Sequence, residues 1–180
     1  MSSKINIFEI ITGHFDTLRE SNGKRSYIDF CTFLVIPVAL GIASAVINFN
    51  LNKDLSSLLV NFGSIFTALL LSVLVLVYDQ ESKLEDRKST DGFYEQKKEL
   101  LNQLYYNISY SILCAVALVL LCFLHSVALG IQTPFSLSSF NLTVKYDIWF
   151  ITPFIIFVTT NLFLNILMIV KRMHALLISQ

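Results

Sequence analysis

The sequence predicts an all-α, polytopic membrane protein: four transmembrane helices preceded by an amphipathic N-terminal helix lying in the membrane interface. Three observations predict it. Mean hydropathy is +0.65 and only 14% of residues are charged, against roughly 25% in soluble globular chains. Four apolar runs are each long enough to cross a bilayer core of about 30 Å, which takes roughly 20 helical residues. Eleven of the thirteen Lys and Arg residues fall on one side of the membrane those runs define.

Residues 1–26 form an N-terminal segment with its own pattern. Ile7, Ile11, Phe15 and Leu18 recur at helical spacing with Phe8 and Ile10 beside them, while Glu9, Asp16 and Glu20 take other positions. Asn22-Gly23 then supplies a helix stop. The pattern predicts an amphipathic helix over residues 4–20, apolar face down in the interface, with His14 on it as a solvated imidazole or, alternatively, a pH-sensitive group.

Residues 27–180 form the transmembrane domain, with spans at about Ile28 to Ile47, Leu55 to Tyr78, Leu104 to Leu129 and Ile148 to Val170. None contains Lys, Arg or Glu, and the only acid is Asp29 at the start of the first. A soluble four-helix bundle would carry a polar stripe every third or fourth residue, whereas "FTALLLSVLVLV" (66–77) is apolar nearly all round. Ala43-Ser44-Ala45 imitates a signal-peptidase site. More than twenty residues precede the apolar core, however, and a signal peptide is only about 15–30 residues in all, so the run reads as a retained span. Pro37 and Pro153 are expected to kink their helices. The pairs Gly41/Ala45 and Gly63/Thr67, four apart, permit close helix approach.

Orientation follows from the cations. Lys4, Arg19, Lys24 and Arg25 precede the first span; Lys83, Arg87, Lys88, Lys97 and Lys98 lie between the second and third; Lys171 and Arg172 end the fourth. The opposite side has Lys53 and Lys145. The sequence therefore places both termini and loop 79–103 in the cytoplasm. Residues 79–99 concentrate twelve of the twenty-six charged side chains, acids and bases interspersed. "YDQESKLEDRK" has good helix formers and continues the second span to about Lys88. Ser89, Thr90 or Asp91 can cap a new helix that runs from Phe93 into the third span. Phe93 and the stripe Leu100, Leu101 and Leu104 are candidates for binding a cytosolic partner, or else belong to the bundle's own packing.

On the other side "NFNLNKD" forms a short turn and "IQTPFSLSSFNLTVKYD" a longer loop with a short extended or membrane-skimming piece. Asn141-Leu142-Thr143 matches a glycosylation acceptor, a short pattern of low specificity. Tyr146 and Trp149 suit one aromatic belt, and Tyr78, Tyr105 and Tyr106 the other.

Polar groups inside lipid need partners. Asn61, Asn161, Asn165 and His125 are the candidate intramembrane contacts, joining helices or lining a pore; Asn161 and Asn165 lie one turn apart on one face. Cys122 and His125 share a helix face, but two ligands do not make a metal site. Cys31, Cys114 and Cys122 all sit in apolar runs and read as small buried hydrophobes. No catalytic motif is present, so no enzyme activity and no cofactor are expected. Zero net charge argues against direct nucleic-acid binding.

Size, inside termini and the stretch "GHFDTLRESNGKRSYIDF" (13–30) resemble the small four-span inner-membrane subunits of bacterial anti-phage defence systems, Kiwa-type membrane subunits among them. The resemblance carries no residue roles. It implies a protein of the bacterial inner membrane that forms homo-oligomers in the lipid bilayer and works with a cytosolic protein. Two other readings stand beside it. One is an immunity protein against a pore-forming bacteriocin, using the polar face of the fourth span. The other is a small channel or transporter lined by Asn61, Asn161 and Asn165.

Overall fold

The computed structural model describes residues 7–18, 27–89, 92–128, 132–137 and 140–178. It contains four helices long and apolar enough to cross a membrane, and the chain is a multi-pass membrane protein. Helix α1 (Ile7–Asp16) precedes a first span made of α2 (Tyr27–Phe30), a π-helical turn (Cys31–Val35) and α3 (Ile36–Val46). Helices α4 (Lys53–Asp86) and α5 (Tyr94–Ala128) are the second and third spans. An antiparallel hairpin follows, β1 (Gln132–Leu137) on β2 (Phe140–Lys145), with Gln132 opposite Lys145 and Leu137 opposite Phe140. It is the extended piece expected of that loop, and Asn141 lies on its second strand. A second π-helical turn (Asp147–Ile151) leads into α6 (Thr152–Ile178), which continues past the expected end at Val170.

Local sequence explains where the helices begin and end. Asn48 takes a left-handed conformation, φ 51°, which asparagine tolerates better than most residues. That lets the Phe49 N–H donate to the Ser44 carbonyl (2.9 Å) and the Asn48 N–H to the Ala45 carbonyl (3.0 Å), a Schellman closure of the first span. Four residues on, the Asn52 side chain caps α4 by accepting from the Leu55 N–H at 2.7 Å. Pro37 and Pro153 stand just after the two π-helical turns. A proline removes one N–H and crowds the carbonyl four residues before it, and a widened turn accommodates both effects.

Helix α5 is central. Helices α4 and α6 pack on it, α1 packs against its first half, and α3 packs on α6. Leu104, Ile108, Ala115 and Leu118 of α5 are fully buried. Lipid is as apolar as leucine, so helices in a bilayer associate through close packing and hydrogen bonds rather than through the hydrophobic effect. Two glycines supply that closeness. A Cβ on Gly63 would lie 3.1 Å from the Ala115 carbonyl, and one on Gly41 would lie 2.9 Å from the Pro153 carbonyl. Leu58, Ile65, Leu69, Val75 and Leu76 of α4 stay exposed, as a lipid-facing surface requires.

The N-terminal helix departs from its sequence reading. It begins at Ile7 and ends at Asp16; residues 4–6 and 19–20 of the expected helix lie outside the described residues. Phe8 remains exposed, but His14 is 0% exposed. The solvated histidine is thus corrected to a buried one. Gly13 allows the approach: a Cβ there would lie 2.3 Å from the Tyr106 ring. Tyr106 accordingly packs under α1, whereas Tyr78, Tyr105, Tyr146 and Trp149 are exposed.

Candidate functional site

Three polar constructions stand out, two of them at the α1 end of the bundle. The first joins the first and fourth spans. Asn161 Nδ2 donates to the Phe33 carbonyl at 2.8 Å. Phe33 lies four residues before Pro37, so the imide nitrogen cannot take that carbonyl in an α-helical pattern. Asn165 Nδ2 donates to Asn161 Oδ1 at 2.8 Å and to the Asn161 carbonyl at 2.9 Å. Cys114 Sγ lies 3.9 Å from Asn161 Oδ1 and ties in α5. Both asparagines are buried. They join helices, and of the two roles left open by the sequence this is the one their geometry fits.

The second construction docks α1. His14 stacks face to face on Tyr110, ring centroids 4.0 Å apart at 1°. Its Nδ1 lies 2.8 Å from Asn107 Oδ1; with that oxygen accepting, Nδ1 carries the proton. The Nε2 atom has no partner among the described residues. Thr17 Oγ1 lies 2.9 Å from the same Asn107 oxygen and 2.7 Å from the His14 carbonyl. Arg172 of α6 donates from Nη2 to the Thr17 carbonyl at 2.8 Å, and Asp29 acts on it electrostatically. Burial holds the His14 pKa down at about 4, against an ordinary 6.5, and the nearby Arg172 guanidinium adds to this. The imidazole is therefore neutral at physiological pH.

The third construction is the α4–α5 hairpin. At 1.5 Å per residue its 34- and 35-residue helices run about 50 Å, roughly 20 Å more than a bilayer core needs. Leu84 and Leu101 fill the space between the projecting ends. Near the turn the buried Tyr94 hydroxyl donates to the Glu85 carboxylate and accepts from Lys98 Nζ at 3.0 Å. Lys88 and Lys98 lie 5.5 and 5.3 Å from its ring centroid, within cation–π range. Tyr94 therefore meets three charged side chains at the tip, Glu85, Lys88 and Lys98. The sequence reading missed it, although an aromatic at the first position of a helix, among lysines, was the available signal.

The partner-binding stripe is corrected here. Leu101 and Leu104 are 3% and 0% exposed and belong to the bundle core, where α4, α5 and α6 meet. Leu100 is half-buried. Of these four residues, Phe93, 61% exposed at the turn, is the one that offers a large apolar surface to solvent. The pore lining is corrected too. Asn61 is exposed on α4, while Asn161 and Asn165 face the first span, so the three do not share a lumen. Asn61 instead lines a cavity with His125 at the β-hairpin end. His125 was expected to be hydrogen-bonded, yet neither ring nitrogen has a partner among the described residues. Among those residues no cluster of three metal-ligating side chains occurs.

Comparison with protein-family models, with curated proteins and with solved structures finds no match to this chain.

Proposed function

We propose that this protein is the membrane-embedded component of a bacterial anti-phage defence system. It sits in the inner membrane with both termini and loop 79–103 in the cytoplasm, associates with copies of itself, and passes membrane events to a cytosolic partner through the tip of the α4–α5 hairpin. The observation that carries this reading is the hairpin itself: two helices continuous from lipid to about 12–15 Å beyond it, clamped at the turn by Tyr94, with Phe93 exposed at the end. A continuous helix moves as a unit, so a shift between α4 and α5 in the bilayer is delivered undiminished to the turn. The cation distribution supports the cytoplasmic side, and the likeness of residues 13–30 to defence subunits supports the biological setting. The protein acts by binding rather than by chemistry of its own.

The bacteriocin-immunity alternative needs the polar face of α6 to be available to a toxin helix. Asn161 is already bonded to the first span and Asn165 to Asn161, and both are buried, which leaves that reading without its surface.

The test uses the tagged full chain, recovered in mild detergent from cells carrying the neighbouring genes. Phe93→Glu should cut the recovered partner at least tenfold and restore phage plaquing, with an unchanged thermal midpoint, since Phe93 is outside the core. Equal recovery and equal protection from phage would overturn the reading, as would a reporter fused after Glu85 that is active outside the cytoplasm.

A further inference from the structure

The β-hairpin end of the bundle carries an independent feature. A cavity of about 500 Å³ opens between α4 and α5, within the range of small-molecule sites. Its polar wall is Lys53, Ser56, Ser57 and Asn61 from α4 with His125 and Ser126 from α5; its apolar wall is Val60, Val119 and Phe123.

Two of these polar groups have no business in lipid alone. His125 is 1% exposed, lines the cavity, and leaves both ring nitrogens unpartnered among the described residues. Asn61 lies eight positions after Lys53, about 12 Å further along the helix axis, and exposes its amide within an otherwise apolar span. An unsatisfied polar group facing hydrocarbon costs several kcal/mol, so each calls for a partner that the described residues do not supply. The donor set defines that partner's chemistry. Lys53 brings a cation, Ser57 and Ser126 bring hydroxyls, Asn61 an amide and His125 an N–H, while Ser56 lies beside the Cys122 thiol. The nearby acids, Asp54 and Asp147, do not line the cavity, although Asp147 acts electrostatically on His125. Such a wall suits an anion rich in acceptors. Its depth profile, charged at the rim and amide-bearing further in, follows a lipid headgroup layer about 5–8 Å thick and the start of the hydrocarbon below it. The apolar wall can seat the upper part of an acyl chain.

We propose that this cavity binds a glycerophospholipid of the leaflet at the β-hairpin end. The phosphodiester rests on Lys53, Ser57 and His125 at the rim, and a glycerol ester carbonyl accepts from Asn61. The site is independent of the defence reading, since it lies at the opposite end from the α4–α5 tip and could serve a membrane protein of any role.

The experiment uses the full chain in a maltoside detergent with three probes: dihexanoyl phosphatidylglycerol, dihexanoylglycerol and inorganic phosphate. Native mass spectrometry should retain one phosphatidylglycerol per chain, and only that probe should raise the thermal midpoint. Lys53→Gln and Asn61→Leu, both at exposed positions, should reduce the adduct at least tenfold. Without lipid, Asn61→Leu should keep or raise the midpoint, because it removes a stranded amide. His125→Phe should abolish the adduct where it folds. Equal protection by dihexanoylglycerol would show that the phosphate is not read and overturn the proposal. Equal protection by inorganic phosphate would assign a free-anion site and overturn the lipid. Unaltered adducts in both exposed variants would overturn the site itself.

Discussion

Asn161→Leu is expected to destabilise the folded bundle by about 2–4 kcal/mol, from one to two orphaned groups at about 1–3 kcal/mol each. The leucine is close enough in size to fill the space, so the loss comes from polarity. The Phe33 carbonyl loses its donor at 2.8 Å and the Asn165 amide loses the Oδ1 acceptor, both in surroundings where water cannot replace them. Intramembrane hydrogen bonds are commonly worth only about 0.6–2 kcal/mol because the unfolded helices find other partners. Two bonds converging on one side chain, one of them to a carbonyl stranded before a proline, put this site at the upper end. Asn161→Leu/Asn165→Leu should recover part of the loss, since the second substitution removes one orphan. The measurement is a reversible denaturation titration in mixed micelles. A residue lining a pore would show the opposite pattern, altered permeation with unchanged stability, and a change below about 0.5 kcal/mol would rule out the structural role.

Acidification is expected to release α1. His14 is held at about 4 when α1 is docked and returns to about 6.5 once it is in water. A group with its pKa depressed in the folded state binds fewer protons there, so the docked form is favoured fully above pH 6.5 and loses ground as pH falls toward 4. The depression from 6.5 to about 4 corresponds, at 1.36 kcal/mol per pH unit, to about 3 kcal/mol in total. Of the groups facing the ring, Arg172 from α6 opposes a second cation and deepens the effect, the Asn107 hydrogen bond from α5 works against it, and Tyr110 and Phe33 supply no negative charge. Amide exchange in α1, corrected for its intrinsic pH dependence, should accelerate on the order of a hundredfold between pH 7.5 and 4.5. His14→Phe, which keeps the stack on Tyr110, should flatten that dependence. Equal protection of α1 at both pH values, or the same slope in the variant, would refute the latch.

The spans were legible because a bilayer allows one solution, an apolar helix of fixed length, so composition alone locates Leu55 to Tyr78 and its fellows. The pairing of Asn161 with Asn165 was legible for a related reason, since residues four apart share a helix face. Leu101 and Leu104 show where periodicity stops. It reveals that a face is apolar and says nothing about whether the chain's own helices or another protein will cover it. His14 fails differently. Its partner Asn107 is remote in sequence, and an amphipathic pattern fixes the moment of α1 but not the register of its docking. The π-helical turns left only Pro37 and Pro153 as traces, because a widened turn is a response to crowding and to a carbonyl in need of a donor, and both depend on neighbours.

A wide turn holds one residue more than the same stretch of ordinary helix. Rewinding Cys31–Val35 into uniform α-helix with every residue kept would rotate everything downstream by about 100°, the angle one residue subtends in a helix of 3.6 residues per turn. Gly41 would then swing away from Pro153, and the seam between the first and fourth spans would be presented to lipid. Removing a single codon within Cys31–Val35 would instead let the span rewind with its seam still facing the fourth. The surplus residue thus sets the phase in which the first span meets the fourth.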